Sequence, residues 1–529
     1  MRSTDRQPRR AIAGFLLLFV FTSSLCGFQN PSPDFKLTDD MRGAIDRVSV
    51  ASLREHLKFI ASDALEGRNT PSPGLDRAAD YIAAQFKKAG LEAIGDDGYF
   101  QTANWVQLTR SPRTFSLSIQ SAGRTFNADQ SQVRFNFPGA LNLRNVPVFK
   151  VDFANTAGHA ELKATDVEGK VVIAELPDPQ RAESGNRGAA MQSINTFSSL
   201  LESMKALMIL GIDRTGMAGN GFLPGRLIDP ANRPPQSQSA QTTLPTSQLL
   251  GADGGKLFDA LPMGATNATL SMSVDAPGEV PVRMRNVIGL LRGSDQALRN
   301  TYVMVTAHYD HLGVNPNLPG PDKIYNGAND DGSGTVSVVE LAAALSKLKQ
   351  KPKRSIAFMC VFGEEKGLLG SRYYGRHPLL PIEKTVTDVN LEQVGRTDDS
   401  EGSQVGTCAM TGFDFSDLGE TFKAAGELVG IKVYKHPTKS DAYFGRSDNQ
   451  ALADQGVPAH TLGVAFEYPD YHRVGDHWDK IDYDNMAKVD RMVAVGLLMI
   501  ANSASEPKWN EANPKAAKYL KAWREHHGE

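Results

Sequence analysis

The stretch Val303-Met304-Val305-Thr306-Ala307-His308-Tyr309-Asp310-His311-Leu312-Gly313 decides how this chain is read. A short run of aliphatic and β-branched residues marks a strand buried on both faces. It ends in histidine and aspartate, which have no packing reason to follow it. Downstream, Thr335 to Leu348 reads as a helix with Val338, Val339, Leu341, Ala342 and Leu345 turned inward. Ile356 to Phe362 is a second near-continuous apolar strand, and Thr461 to Val464 is a short third. Strand–helix alternation of this kind predicts an α/β fold, a mostly parallel twisted sheet flanked by helices.

Upstream of this core, a helix begins near Val50, with Leu53, Leu57 and Ile60 at helical spacing, followed by the polar turn Glu66-Gly67-Arg68. A second amphipathic helix runs from about Gly74 to Ala89, lined by Ala78, Ala79, Ile82, Ala83 and Phe86, and Gly90 ends it. Between 112 and 275 the texture changes. Phe115-Ser116-Leu117-Ser118-Ile119 alternates, Val171-Val172-Ile173-Ala174 reads as a strand, and 224–243 is rich in Pro, Gln and Ser. This region predicts an inserted β-rich domain, and its one histidine is His159. The α/β domain is therefore discontinuous, over 45–111 and 276–505. The tail 506–529 reads as a solvated terminal helix.

Residues 1–27 read as a secretory signal. Arg2, Arg6, Arg9 and Arg10 precede a short apolar run from Ala11 to Phe21, followed by small residues before Cys26. The run is too short for a membrane span, so a secreted or periplasmic protein with no membrane attachment after cleavage is expected. The 529 residues suit about three domains. Lys and Arg (57) nearly cancel Asp and Glu (60), and a net charge of -3 argues against general nucleic-acid binding. Three cysteines, Cys26, Cys360 and Cys408, build no disulfide framework, and Cys360 in its apolar strand reads as a buried thiol.

Five segments of the α/β domain collect acids and histidines where strands end, which is where open α/β sheets bind ligands. In the first, His308 suits a metal ligand, with Asp310 placed to hold its other ring nitrogen. The second is Gly327-Ala328-Asn329-Asp330-Asp331-Gly332-Ser333-Gly334, where Asp330 points to a metal while Asp331 or Ser333 caps the following helix. The third, Phe362-Gly363-Glu364-Glu365, ends an apolar strand in paired carboxylates; one acid can ligate while its neighbour acts as general base. The fourth sets Glu392 inside a strand-like run, and the fifth offers two competing histidines, His472 and His477. The chain has no H-E-x-x-H, G-x-S-x-G, P-loop or G-x-G-x-x-G motif. Oxygen and imidazole donors without thiolate favour zinc or another borderline divalent metal.

In this order and spacing the five segments resemble the co-catalytic di-zinc peptidase family that contains secreted bacterial leucyl aminopeptidases, glutamate carboxypeptidases and glutaminyl cyclases. The likeness runs from about 45 to 500. Ala61-Ser62-Asp63-Ala64-Leu65-Glu66-Gly67-Arg68 is similar to the family's N-terminal segment, and Glu168-Gly169-Lys170-Val171-Val172 with Leu244-Pro245-Thr246 resembles a protease-associated domain. The resemblance implies two zinc ions. His308 and Glu392 would hold one, Glu365 and His472 the other, and Asp330 both. It further implies Glu364 as general base, Asp310 as partner of His308, and Tyr471 as oxyanion donor, which favours His472 over His477. Two positions depart from the pattern. Glu392-Gln393 stands where the family usually has Asp-Met, with Asp388 as a fallback ligand, and Asn449 stands where many relatives have His. The implied activity is that of a secreted zinc exopeptidase acting on peptides, an aminopeptidase first. A carboxypeptidase or dipeptidase, with Arg396 or Arg446 as its carboxylate anchor though both read as solvated, and an idle binding protein of the same fold are the alternatives. Oligomeric state is not legible.

Overall fold

The computed structural model describes residues 35–109, 114–135, 137, 139–177, 187–214, 226–232, 244–316, 318 and 320–528. The expected signal at 1–27 lies outside the described residues.

Among the described residues the larger sheet has ten strands. Its centre is Ser355–Val361, Tyr302–His308, Thr385–Leu391 and Ala459–Gly463, all mutually parallel. Every residue of these four strands is buried. That is the physical reason for their near-continuous apolar character, since parallel strands are covered on both faces. Val303, Val305, Ile356 and Phe358 face one core with the helices Val50–Ile60, Pro73–Ala89, Gly334–Leu345 and Tyr483–Asn502. Met304, Ala357 and Met359 face a second core on the opposite side, with the helices Leu369–Arg376 and Asn449–Ala453. The sheet edges are partly antiparallel, through Gly278–Leu291 and Phe100–Thr109.

Those last two strands form one long ribbon, in register from Phe100 with Val287 to Thr109 with Gly278. The chain leaves the larger sheet along one strand and returns along the other. Between them it builds an eight-stranded sheet with its own apolar core, including Leu117, Ile119, Ile173, Leu210 and Leu270. The β-rich texture of 112–275 thus corresponds to a separate sheet. One short strand from that stretch, Leu227–Ile228, pairs with Val106 and Gln107 and so belongs to the larger sheet.

The tail is more than the expected solvated helix. Trp509, Ala516 and Tyr519 pack into the second core, and Trp509 Nε1 donates to the Gly456 carbonyl at 2.7 Å. Cys360 and Cys408 are free and buried, and burial pushes both thiols up. Among the described residues no helix is long and apolar enough to cross a membrane.

Candidate metal centre

Each of the five segments ends at one place because each follows a parallel strand or its crossover. His308 is the last residue of its strand and fully buried. Asp330 sits in the turn Ala328–Ser333 that opens the helix Gly334–Leu345. Glu364 and Glu365 follow Ser355–Val361 through Gly363, whose φ of +71° and close approach to Leu369 admit no side chain. Glu392 follows Thr385–Leu391, and His472 lies in a loop beyond Ala459–Gly463.

Two groups of donors meet here. His308 Nε2 lies 3.3 Å from Asp330 Oδ1 and 3.4 Å from Glu392 Oε1. His472 Nε2 lies 3.0 Å from Asp330 Oδ2 and 3.4 Å from Glu365 Oε1. The two oxygens of Asp330 therefore face two different histidines. His311 joins the second group, with Nδ1 2.8 Å from Glu365 Oε1. Close as they are, these two atoms are not aligned as a hydrogen bond and have no other hydrogen-bond partner. His308, Asp330 and Glu392, and likewise His311, Asp330 and Glu365, bring their donor atoms within 4.8 Å of one another. Imidazole nitrogens and carboxylate oxygens at this spacing are the donor set of a zinc site. The residues present fit two divalent cations.

The electrostatics follow from packing several acids and histidines together out of water. Burial alone would lower the His308 imidazole, but Glu392, Asp310 and Asp330 outweigh it and hold the ring well above its usual range. His472 behaves the same way beside Glu365 and Asp330. Asp330, despite its burial, is held well below the carboxylate range by the two histidines. Glu365 is likewise held at about 2, chiefly by His472. Glu364 goes the other way. Burial, reinforced by Glu392, Glu365 and Asp448, raises it well above the carboxylate range, the property wanted in a proton acceptor that must later give the proton back.

Other residues fix this geometry. His308 Nδ1 lies 3.2 Å from the Asp310 carbonyl and 3.5 Å from its Oδ1. That same Oδ1 accepts the Glu364 amide at 3.0 Å, and Oδ2 accepts the Thr70 hydroxyl at 3.0 Å. Asp310 thus joins the histidine to the raised glutamate. Asp331 caps the helix as expected, its Oδ1 accepting from Gly334 N at 3.0 Å. Ser447 donates to Glu392 Oε2 at 2.5 Å and steers the longer side chain. Tyr471 stacks on the His472 ring at 3.9 Å, and burial raises its phenol well above 10. A cavity of about 530 Å³ opens on Asp330, Glu364, Glu392, Tyr471 and His472.

Several sequence candidates lie apart. His477 pairs with Asp322 at 3.4 Å in a separate hollow. Asp388 is buried behind the site, accepts from Thr306 at 3.0 Å and is pushed up to about 8 by burial. Arg396 is not solvated. It is 5% exposed and paired with Asp398 and Asp470. Arg446 lines the cavity and lies 4.4 Å over the Tyr443 ring. Asn449 accepts from Thr461 at 2.8 Å and serves the strand behind the site.

Four contributors escaped the sequence reading. His311 was in view, one residue past Asp310, but nothing in the sequence separates it from a loop histidine. Ser447 and Asp476 act through contacts with distant segments. Asp476 accepts the amides of Asn329 at 3.0 Å and Asp330 at 3.2 Å. Arg68 read as part of a polar turn, yet it is fully buried. Its guanidinium donates to the carbonyls of Ile60, Tyr309, Asn326 and Gly327 at 2.5–2.9 Å, tying the N-terminal helix to two site loops.

Residues 286–496 match the model of peptidase family M28. Leucine aminopeptidase 2 of Arthroderma otae is 26% identical over 286 residues, 49% of this chain and 52% of that protein. Aminopeptidase YwaD of Bacillus subtilis is 25% identical over 44% of this chain and 48% of its own length. The chain spans about half the length of these curated relatives. Among solved structures, the aminopeptidase from Aneurinibacillus sp. strain AM-1 superposes with a TM-score of 0.56 at 20% identity, over 86% of this chain and 95% of that one. A zinc aminopeptidase from Bacillus subtilis gives 0.55 at 17% identity, over 91% and 98%. At such identities the likeness establishes the fold alone, and it is the fold derived above. The segment that matches the family's model, residues 286–496, carries all five acid- and histidine-bearing loops.

Proposed function

We propose that this chain is a secreted or periplasmic zinc-dependent exopeptidase, an aminopeptidase that removes N-terminal residues from peptides. One observation carries the reading: Asp330 turns its two oxygens to two separate imidazoles, each joined by a further carboxylate, with a raised glutamate lining the same cavity. His308 and Glu392 would hold one zinc, Glu365, His472 and His311 the other, and Asp330 would serve both. When bound, zinc acidifies a water and polarises a carbonyl. Glu364 takes the proton of the attacking water and hands it to the leaving amine. Tyr471 donates to the oxyanion. Asp310 keeps His308 and Glu364 in register. The aminopeptidase names of the curated relatives support the choice among exopeptidases.

The domain organisation we propose has the peptidase unit over 45–111 and 276–505, a protease-associated-like insert over 112–275, and a packed tail over 506–529. The insert's return along the same ribbon supports it. A carboxypeptidase is the second reading, and Arg446 on the cavity wall favours it as an anchor for a terminal carboxylate.

The Glu364→Gln variant tests the mechanism. It keeps the side chain's size and should retain metal, yet lose about 10²–10⁴-fold in kcat. A metal-loaded Glu364→Gln protein with ordinary turnover would remove Glu364 from its role.

A further inference from the structure

We infer that Asp388 is held as a neutral carboxylic acid that donates to Thr306, starting a one-way series of hydrogen bonds through Asn390 and Ser447 that fixes the Glu392 carboxylate. Asp388 is then a positioning residue. The inference rests on the reading of Glu392 as a metal ligand and adds to it a group that acts from behind the centre.

The direction follows from counting protons. Asn449 donates to the carbonyls of Phe444 at 3.0 Å and Ala459 at 3.4 Å, so its Oδ1 faces Thr461 and takes that hydroxyl's one proton at 2.8 Å. The one Ser447 proton goes to Glu392 Oε2 at 2.5 Å. Both hydroxyl oxygens then need a donor. Asn390 Nδ2 supplies two protons, to Ser447 at 2.8 Å and to Thr461 at 3.1 Å. That orients the Asn390 amide and turns its Oδ1 to Thr306. The Thr306 hydroxyl lies 3.0 Å from Asn390 Oδ1 and 3.0 Å from Asp388 Oδ1, but it has one proton for the two. Spent on an ionised Asp388, that proton leaves the Asn390 oxygen bare. Spent on Asn390, it leaves two oxygens facing each other unless Asp388 carries the missing proton. The neutral acid satisfies each of these contacts, and the series runs from Asp388 through Thr306, Asn390 and Ser447 to Glu392.

The surroundings agree. Thr306, Asp388 and Asn390 are buried, and Asp388 Oδ2 has no hydrogen-bond partner in the protein. Burial, reinforced by the neighbouring acid Asp448, pushes the Asp388 carboxyl up to about 8. A neutral carbonyl oxygen is far less costly to leave unpaired there than a carboxylate oxygen. At the other end, Ser447 holds Glu392 Oε2 while Oε1 stays 3.4 Å from His308 Nε2. Groups that orient a ligand in this way change metal affinity by about 10–100-fold.

The experiment takes two readouts on the full chain at neutral pH. Infrared difference spectroscopy between unaltered protein and Asp388→Asn should show a carboxylic acid carbonyl band that the variant lacks. Chelator competition measures zinc affinity. Thr306→Val cuts the series and should weaken zinc binding by about ten-fold or more, and Thr306→Ser, which restores the hydroxyl, should recover it to within about three-fold. Asp388→Asn keeps a neutral donor and should hold zinc as Thr306→Ser does, whereas Asp388→Leu should resemble Thr306→Val. Should Asp388→Leu fail to fold, the two Thr306 variants decide in its place. A band unchanged in Asp388→Asn overturns the inference, and so does equal zinc affinity in Thr306→Val and Thr306→Ser. If unaltered protein binds no zinc, the reading of Glu392 as a ligand fails instead. The band then decides the state of Asp388 alone: its loss in Asp388→Asn upholds the neutral acid, and its persistence overturns it.

Discussion

Arg68→Met removes one guanidinium and keeps most of the side-chain volume, so its effect isolates the fastening of the site loops. Four carbonyls lose their donor together: Ile60, Tyr309, Asn326 and Gly327. Each is enclosed where water cannot replace the bond. A buried acceptor left unpaired costs about 1–3 kcal/mol, so even the low end summed over four gives about 4 kcal/mol. The change also removes the positive charge that Asp310, Asp476, Asp330 and Asp331 share; these acids oppose, without cancelling, the lowering of Arg68 by burial to about 10. At roughly 2 °C per kcal/mol for a large domain, the unfolding midpoint of the α/β domain should fall by about 8 °C or more. Differential scanning calorimetry measures it. Arg68→Lys keeps the charge but not the planar fork, and should recover only part of the loss. A midpoint within about 2 °C of the unaltered protein for Arg68→Met would refute the claim that this residue ties the loops together.

Other outcomes follow from the same geometry. His311→Ala should lower zinc content at the position served by Glu365 and His472 while leaving the fold intact, as read by metal analysis and calorimetry; unchanged zinc affinity would return His311 to a packing role. His477→Ala, facing Asp322 outside the cavity, should alter hydrolysis less than two-fold, whereas His472→Ala should abolish it. Ser447→Ala frees Glu392 from its steering bond and should weaken zinc binding by about 10–100-fold, measured by competition with a chelator. Asp490 is fully buried, and burial raises its carboxyl to about 8, with Glu340 adding to the rise. A raised acid favours the fold while protonated, so its contribution is present below about pH 4 and is lost as pH climbs towards 8. Asp490→Asn should therefore stabilise the protein at pH 8–9 by more than about 1 kcal/mol and flatten the pH dependence of the midpoint. A slope unchanged by the substitution would contradict that assignment.

The fold was legible because buried parallel strands announce themselves as apolar runs, and because acids at their ends are too costly to keep without a use. Val303 to Ala307 and Ile356 to Phe362 say as much with no structure at hand. The resemblance carried by the order and spacing of the segments then implied His308, Asp330, Glu364, Glu365, Glu392 and His472; the structure sets Asp330, Glu364, Glu392 and His472 on the cavity wall and brings His308 and Glu365 within reach of Asp330. What stayed hidden acts across long sequence distances. Arg68 reaches carbonyls up to 259 residues away, and carbonyls are invisible to any motif. His311 joins the candidate donors only because the chain past the strand end turns it towards Glu365. Arg396 looked solvated because its acids, Asp398 and Asp470, arrive from two directions. The tail looked solvated because Trp509 and Tyr519 find their partners on a core built elsewhere.

The most direct test of the account is hydrolysis of matched short peptides, free or blocked at either end, by the protein loaded with measured zinc. The account predicts about two zinc ions per chain and cleavage that requires a free amino terminus and stops in Glu364→Gln. Cleavage that instead requires a free carboxyl terminus would move the assignment to a carboxypeptidase, with Arg446 as its anchor. No stoichiometric zinc and no cleavage of any peptide would contradict the catalytic reading outright.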